Sequence, residues 1–589
     1  PESLAREFLG GRGFVAKLLY DEVPPGTDPL SPENRVVMAS GPLSGAFVPS
    51  SGKFSFGAKS PLTGGYGDSN VGGHLAPELK YAGYDAVVLE GAAPRPVVLV
   101  IDDGKVELRD GSAYWGKGSM DAEARLKADL GPDFQIAVIG PAGERLVRFA
   151  CISHDFGRQA GRTGVGAVLG SKRLKAVCIR GTGTIPVADP RAAFEKGKEM
   201  YRAAFAKPGF KEWTPYGTAG VTDWVNEVGA FPTKNFQTGY FEPYREINGQ
   251  TLRSTILVRD KGCFGCPIPC GKYSRARAAG REFYVEGPEY ESIALLGGNL
   301  MLGDIREIAY ANYVCDQLGL DSISAGVVVG FALECFETGL LSEGDIGRKV
   351  AFGDLDSVVY LLEKIAAREG IGELLSEGVK RAAARIGRGA DRIAPQVKGM
   401  EWSGYESRWA PAMMLAYMTA DIGAHHNRAW AITYDAAVGR DKIEGKAQKV
   451  IELQHIRPLF DMLGLCRLLW VEIGFELERY AEVFPLVTGL DYTWGDLLRA
   501  SERVYNLTRA FNFRHIPGFG RAWDYPPARF YEEPVPTGPA KGRYIPREKL
   551  DELLDDYYRL RGWDRDGRPT LSKLEELGLR SVARDIGAV

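Results

Sequence analysis

The chain has 589 residues, 45% of them hydrophobic, with a net charge of −3 and an isoelectric point near 6.2. That length exceeds what one core supports, so two to four domains are expected, and the charge balance excludes a general electrostatic pull toward nucleic acid or an anionic membrane. No apolar run approaches the ~18 residues that span a bilayer; "PESLAREFLGG" lacks the basic and apolar segments of a signal peptide; and eight cysteines are too few for a disulfide scaffold, so a reduced, cytoplasmic protein is expected.

Up to about residue 185 the texture is short β-branched runs closed by glycine: "RVVMASG", "AVVLEG", "QIAVIG" and "KAVCIRG". These read as strands. "VVLVIDDGKVEL" reads as a hairpin turning at Asp103-Gly104. Two glycine-rich stretches lie among them. "SPLTGGYGDSNVGGHLAPELKYAGYD" offers Asn70 as an oxygen ligand or hydrogen-bond donor, and otherwise reads as tight turns. "GRTGVGAVLG" is Gly-x-Gly-x-x-x-Gly at its core and lacks the acidic residue that a ribose contact requires, so a nicotinamide site is not expected. An anion-cradling loop flanked by Arg158 and Arg162 fits it better.

From "VADPRAAFEKGKEMYRAAFA" the period changes to that of helices, with Asp189 as cap and Pro190 at the first position. "DIREIAYANYVCDQLGL", "DSVVYLLEKIAAREG" and the tail "PREKLDELLDDYYRLRGWD" carry the same three- and four-residue spacing. The expected fold is α+β: a β-rich base over 1–185, a helical domain over 186–395 and a second over 396–589.

"CFGCPIPC" places Cys263, Cys266 and Cys270 within reach of one centre. Zinc sites usually supply cysteines as two close pairs, whereas iron–sulfur clusters commonly take three nearby cysteines and a remote fourth. A [4Fe–4S] cluster is favoured and zinc stays open. An internal echo supplies the fourth ligand: "DQLGLD" (316–321) and "DMLGLC" (461–466) share Asp-x-x-Gly-Leu, and the second ends in Cys466. The doubling suggests two halves binding two copies of something. Cys151, Cys178, Cys315 and Cys335 read as buried small apolar residues.

With "GPLSG", "KSPLTGG", "SNVGG", "ELKYAGYDA", "IGPAGE", "GRQAGRTGVGAVLGSKRLKAV", "TKNFQTGY", "CFGCPIPCG", "EGPEYES", "CDQLGLDSIS", "DMLGLC" and "YRLRGW" in this order, the chain resembles the tungsten-containing aldehyde ferredoxin oxidoreductases over nearly its whole length. The resemblance implies a bis-pterin tungsten (or molybdenum) cofactor, Mg2+ bridging the pterin phosphates, and a [4Fe–4S] cluster on Cys263, Cys266, Cys270 and Cys466. It implies pterin contacts from Asp316, Leu320 and Asp321, and from Asp461 and Leu465. Phosphate and magnesium contacts fall on Asn70 and Gly72, and on Arg158, Gln159, Gly161 and Arg162. Arg428 joins the cofactor set. Lys53 stands where the family often has a bridging arginine and keeps the charge without the planar fork. Tyr310 replaces a glutamate that in some members binds an inter-subunit iron.

The activity implied is oxidation of aldehydes to carboxylic acids, with electrons leaving for ferredoxin or a partner iron–sulfur subunit. Glu291 would be general base and His426 donor to the carbonyl or a metal-bound oxygen. From the residues alone, a core ion pair for Glu291 and a satisfied buried histidine for His426 are equally open. A relative reducing an aromatic acyl-CoA and a tungsten-free iron–sulfur subunit remain as alternative functions. Substrate identity, oligomeric state and the choice of tungsten over molybdenum carry no motif.

Overall fold

The computed structural model describes residues 2–589. It is an α+β protein. Its β-rich portion contains β1 (Val36–Ser40), β2 (Phe54–Lys59), β3 (Tyr66–Val71), β4 (Ala86–Leu89), β5 (Val97–Asp102), β6 (Lys105–Asp110), β7 (Gln135–Val138), β8 (Ile152–His154), β9 (Arg158–Ala160) and β10 (Leu174–Arg180). They form two sheets, in the orders β3-β2-β1-β4 and β6-β5-β10-β7-β8-β9. The β5–β6 hairpin turns at Asp103-Gly104, as its sequence predicts.

The sheets repeat one plan. In each, a helix (Arg12–Glu22 or Ser119–Leu130) leads into a strand, two more strands follow as an antiparallel meander, and a short helix (Leu75–Tyr81 or Val165–Ser171) returns the chain to the first strand's other side. The strand equivalences are β1/β7, β2/β8, β3/β9 and β4/β10, all antiparallel neighbours within their sheets. Alternation sets the faces. Val36 and Met38 pack with Phe54, Phe56, Leu99, Ile101, Val177 and Ile179 in a core between the sheets, while Val37 and Ala39 point into the helical core. The stretch read as tight turns around Gly72 instead contains β3 and the helix Leu75–Tyr81. β3 carries Gly67, Asp68 and Asn70, residues of low strand propensity, and its pairing with β2 overrides them.

Helices make up most of the remainder, and the cap expected at Asp189 is present. Asp189 accepts from Ala192 N, and Asp321 accepts from Ile323 N and Ser324 N at the start of Ser322–Glu337. A third sheet of β11 (Leu257–Lys261), β12 (Gly271–Ala278) and β13 (Arg281–Glu286) carries the cysteine run as the connection between β11 and β12.

The two Asp-x-x-Gly-Leu motifs end the helices Ile305–Leu318 and Lys446–Leu463. Gly319 (φ +75°) and Gly464 (φ +80°) are the left-handed caps. Each helix end docks on a Gly-Pro that follows a strand. Gly41 lies against Leu463 and Gly464, and Gly140 against Leu318 and Gly319, so closely that a Cβ at Gly140 would sit 2.6 Å from Gly319 N. Lys53 N donates to Gly464 O (3.1 Å) and Cys151 N to Gly319 O (2.9 Å), at equivalent points of the two halves. Among the described residues, no helix is long and apolar enough to cross a membrane.

Candidate active site

Cys263, Cys266, Cys270 and Cys466 line one cavity, together with Ser50, Gly52, Lys53, Gly72, Ile268 and Leu468. It encloses about 310 Å³ of atom-free space, part of it continuous with solvent. Cys466 is delivered by the second helix end, where its N–H donates to Ser50 O (3.0 Å). Gly265 takes φ +59° between the first two cysteines. A Cβ at Gly72 would lie 2.6 Å from Cys263 Sγ, so only glycine leaves that sulfur its place. Burial pushes the Cys266 thiol up to about 12 and raises Cys263, the latter against the pull of Arg158 and Lys53. Thiolates gathered here therefore call for bound positive charge. Four thiols around one chamber are a donor set that suits an iron–sulfur cluster. The other four cysteines are buried.

Lys53, Gly72, Cys466 and Leu468 also border a much larger cavity, about 1680 Å³ of atom-free space partly open to solvent. It runs between the two sheets' outer strands and the helical part. Asn70 on β3 and Arg158 and Gln159 on β9 line it, with Gly161, Arg162, Asp316, Asp321 and Arg428. The two halves meet it in parallel ways. Asn70 Nδ2 donates to Asp461 (3.0 Å) and Gln159 Nε2 donates to Asp316 (2.9 Å). Asn312 Nδ2 gives Asp316 a second bond at 2.8 Å, and burial still raises that carboxyl well above the usual range. Arg162 Nε pairs with Asp321 at 3.0 Å. Lys53 Nζ donates to Asn70 Oδ1 at 2.9 Å, which links the two cavities through one side chain.

Three of the expected cofactor residues, Asp461, Leu320 and Leu465, lie behind this lining. Asp461 stands behind Asn70 and is held by Arg467 (2.6 Å), while Leu320 and Leu465 are buried at the helix ends. Arg428 bonds Asp421 at 2.8 Å and also pairs with Asp68. Arg12 Nε lies 2.9 Å from Asp68 and a second nitrogen pairs with Asp421. Two guanidinium groups and two carboxylates thus form a closed, buried square. Burial pulls the Asp421 carboxyl up, but Arg428 and Arg12 outweigh it and hold it well below the usual range.

Glu291 and His426 stand side by side in the wall of this cavity. Glu291 lies at the start of a helix that widens into a π turn over Ile293–Gly297, a feature frequent at functional sites. Its Oε1 is 3.1 Å from His426 Nδ1, without the alignment of a hydrogen bond, and its Oε2 accepts from Gly404 N at 2.8 Å. Burial raises the carboxyl to about 7, against the Gly404 N–H and the Arg162 charge. His426 N donates to Ser403 Oγ (3.2 Å), and Ser403 Oγ lies 3.0 Å from Nδ1. Burial, then Arg457, Arg162 and Arg467, lower its pKa well below the usual histidine range, so the imidazole is neutral. Tyr405 packs on His426 (5.6 Å between ring centres) and on Trp430 (6.0 Å), which gives the pair an aromatic wall.

The aldehyde ferredoxin oxidoreductase N-terminal domain model matches residues 1–181, and the model for domains 2 and 3 of the same family matches residues 195–579. The tungsten-containing aldehyde ferredoxin oxidoreductase of Pyrococcus furiosus is 40% identical over 98% of this chain and 95% of its own length. The chain belongs to the aldehyde ferredoxin oxidoreductase family.

The tungsten-containing aldehyde ferredoxin oxidoreductase of Thermococcus kodakarensis is 39% identical over 98% of this chain and 95% of its own. A more distant relative is the WOR-like subunit of an aliphatic sulfonate oxidoreductase from Pyrococcus furiosus, 31% identical over 99% of this chain and 95% of its own. Among solved structures, the active-site complex BamBC of benzoyl coenzyme A reductase with 1,5-dienoyl-CoA matches with a TM-score of 0.85 and 26% identity over 99% of this chain and 95% of that one. As a family member the protein is an oxidoreductase of the tungsten-containing, ferredoxin-linked kind.

Several residues that shape this oxidoreductase's cavity have no sequence signal. Ser403, Gly404 and Tyr405 position the Glu291–His426 pair, yet "SGY" is not a motif. Arg457 donates only to Asn427 O (3.1 Å) and Oδ1 (3.2 Å). Burial, then the Arg467 charge, lowers its pKa to about 9. Asn312 could have been found, since it precedes Asp316 by one helical turn.

Proposed function

We propose that the protein oxidises aldehydes to carboxylic acids at a tungsten bis-pterin centre seated in the large cavity, and passes electrons through a [4Fe–4S] cluster to ferredoxin or a ferredoxin-like subunit. The observation that carries this reading is the Glu291–His426 pair in the wall of a cavity that also reaches Cys466. The cavity's polar rim suits the group: carboxyl and amide side chains for the N–H-rich edge of a pterin, and arginines and glycines for phosphates. Asp316, Gln159, Asp321 and Arg162 would hold one pterin, and Asn70 and Arg428 the other, with Asp461 bracing Asn70 from behind. Asn70 and Gly72 would supply the magnesium contacts. When bound, the metal centre supplies a two-electron acceptor and the cluster a one-electron exit.

The chain's own residues do the rest. Oxidation of RCHO with water to RCOOH releases two electrons and two protons. Glu291, ionised above its raised pKa, takes a proton from the attacking water. Ser403 Oγ accepts the His426 backbone N–H; with Tyr417 Oη (2.9 Å) donating to it as well, its own proton would go to Nδ1 and leave the imidazole proton on Nε2. That N–H is free of protein partners among the described residues and is available to the carbonyl oxygen. Tyr405 and Trp430 cover the aldehyde's apolar body and keep bulk water away.

Reduction of an aromatic acyl-CoA is the second reading, favoured by the likeness to the benzoyl coenzyme A reductase complex. Elemental analysis joined to viologen reduction decides between them. Tungsten and iron with aldehyde-dependent dye reduction support the first. Turnover confined to acyl-CoA thioesters supports the second, and active material with iron but neither tungsten nor molybdenum defeats both.

A further inference from the structure

The helix Pro190–Ala206 buries a narrow stripe of Ala193, Gly197, Met200 and Ala204. Beside it runs a second stripe at helical spacing, Phe194, Tyr201 and Phe205, whose two phenylalanines stay half exposed. Phe194 is 50% and Phe205 52% exposed, and Phe47, on the loop they pack against, is 48% exposed. The rings form a continuous row. Phe47 is 5.1 Å from both Phe194 and Tyr201, and Tyr201 is 6.5 Å from Phe205. Glycine at 197 permits this, because a Cβ there would collide with the Phe47 backbone.

The row abuts the cysteine cavity. Tyr201 Oη donates to Gly265 O at 2.7 Å, between Cys263 and Cys266. The Phe47 loop continues to Ser50, whose N–H donates to Gly265 O at 2.8 Å and whose Oγ lies 3.5 Å from Cys266 Sγ. The exposed face and the thiols are therefore two sides of one small piece of structure. Half of three phenylalanine side chains amounts to roughly 300 Å² of apolar surface, the size of a functional patch. That falls short of the ~800 Å² per partner of a stable interface and suits the small contacts of transient electron-transfer complexes.

We propose that the Phe47–Phe194–Phe205 face is the docking surface for the iron–sulfur electron carrier, seated over the Cys263–Cys266 loop. This rests on the reading that those cysteines hold the exit cluster. The test uses the holoenzyme, the Phe194→Ser/Phe205→Ser double variant and Phe47→Ser. Each is assayed with benzyl viologen and with a [4Fe–4S] ferredoxin, and ferredoxin binding is measured by calorimetry. The expected result is aldehyde-linked viologen reduction within about twofold of the parent, with ferredoxin-linked kcat/KM and affinity lowered about tenfold or more. Ferredoxin kinetics and binding unchanged in the variants would overturn the proposal. So would a parent dimer that the substitutions convert to monomers, since a second copy would then occupy the face. If no aldehyde is oxidised, the proposed reaction fails, while calorimetry still decides the docking surface.

Discussion

Glu291 keeps one carboxylate oxygen 3.1 Å from His426 Nδ1 while its other oxygen accepts the Gly404 N–H. Holding the acid on backbone rather than on a cation leaves its pKa near 7, where a general base works best at neutral pH. Glu291→Gln should lower kcat about 10²–10⁴-fold. In the parent enzyme, kcat/KM should fall tenfold per pH unit below pH 7.

The same shift has a cost in stability. A carboxyl with its folded pKa raised from 4.5 to about 7 contributes stability below pH 4.5 that is lost as pH rises through 7. Replacing it by glutamine should raise stability at pH 8 by about 3 kcal/mol and leave it unchanged near pH 4. Denaturant midpoints at the two pH values measure this, and equal effects at both would contradict it.

Cys466→Ser should lower the iron content and visible absorbance, and reduce dye-linked turnover by at least about 100-fold. Cys315→Ser, at a buried cysteine away from the cavity, should leave iron unchanged. Iron loss in both variants would refute the assignment of the ligands.

Arg12→Met leaves Asp68 and Asp421 buried with one guanidinium between them. Breaking such a network costs about 3–5 kcal/mol, read as a lower apparent unfolding midpoint. Asp421, held below its ordinary pKa, contributes stability above pH 4 that is lost as pH falls through its folded value. The parent should therefore lose stability in acid more steeply than the Arg12→Met variant.

Gly464→Ala meets both a left-handed backbone and the Ser44 hydroxyl. The conformational cost of ~1–2 kcal/mol and the overpacking cost of ~1–3 kcal/mol add to about 2–5 kcal/mol. Gly319→Ala should behave alike, because its contacts to Gly140 are equivalent.

The strands ending in glycine and the helix capped by Asp189 are legible because their signals are local: β-branched runs, turn residues and a cap. β3 is not, since its conformation comes from pairing with β2 and not from its own residues. The site divides the same way. The cysteine run and the Asp-x-x-Gly-Leu pair are spacing patterns. The square of Arg12, Asp68, Asp421 and Arg428 joins residues hundreds of positions apart, and no window of sequence contains it. The twofold plan of the sheets is hidden for a different reason. "DAVVLEG" and "KAVCIRG" keep the pattern of apolar residues and little else, while the inserted β5–β6 hairpin separates the copies.

The two halves agree down to their glycine caps and part company one residue after the shared leucine, at Asp321 and Cys466. A cradle with perfect symmetry would treat both of its sides alike and give charge no reason to travel one way. The acid on one side pairs with Arg162, while the thiol on the other faces the sulfur-lined chamber. On the proposed reading, that single mismatch polarises an otherwise mirror-like frame: one wall insulates and the other conducts.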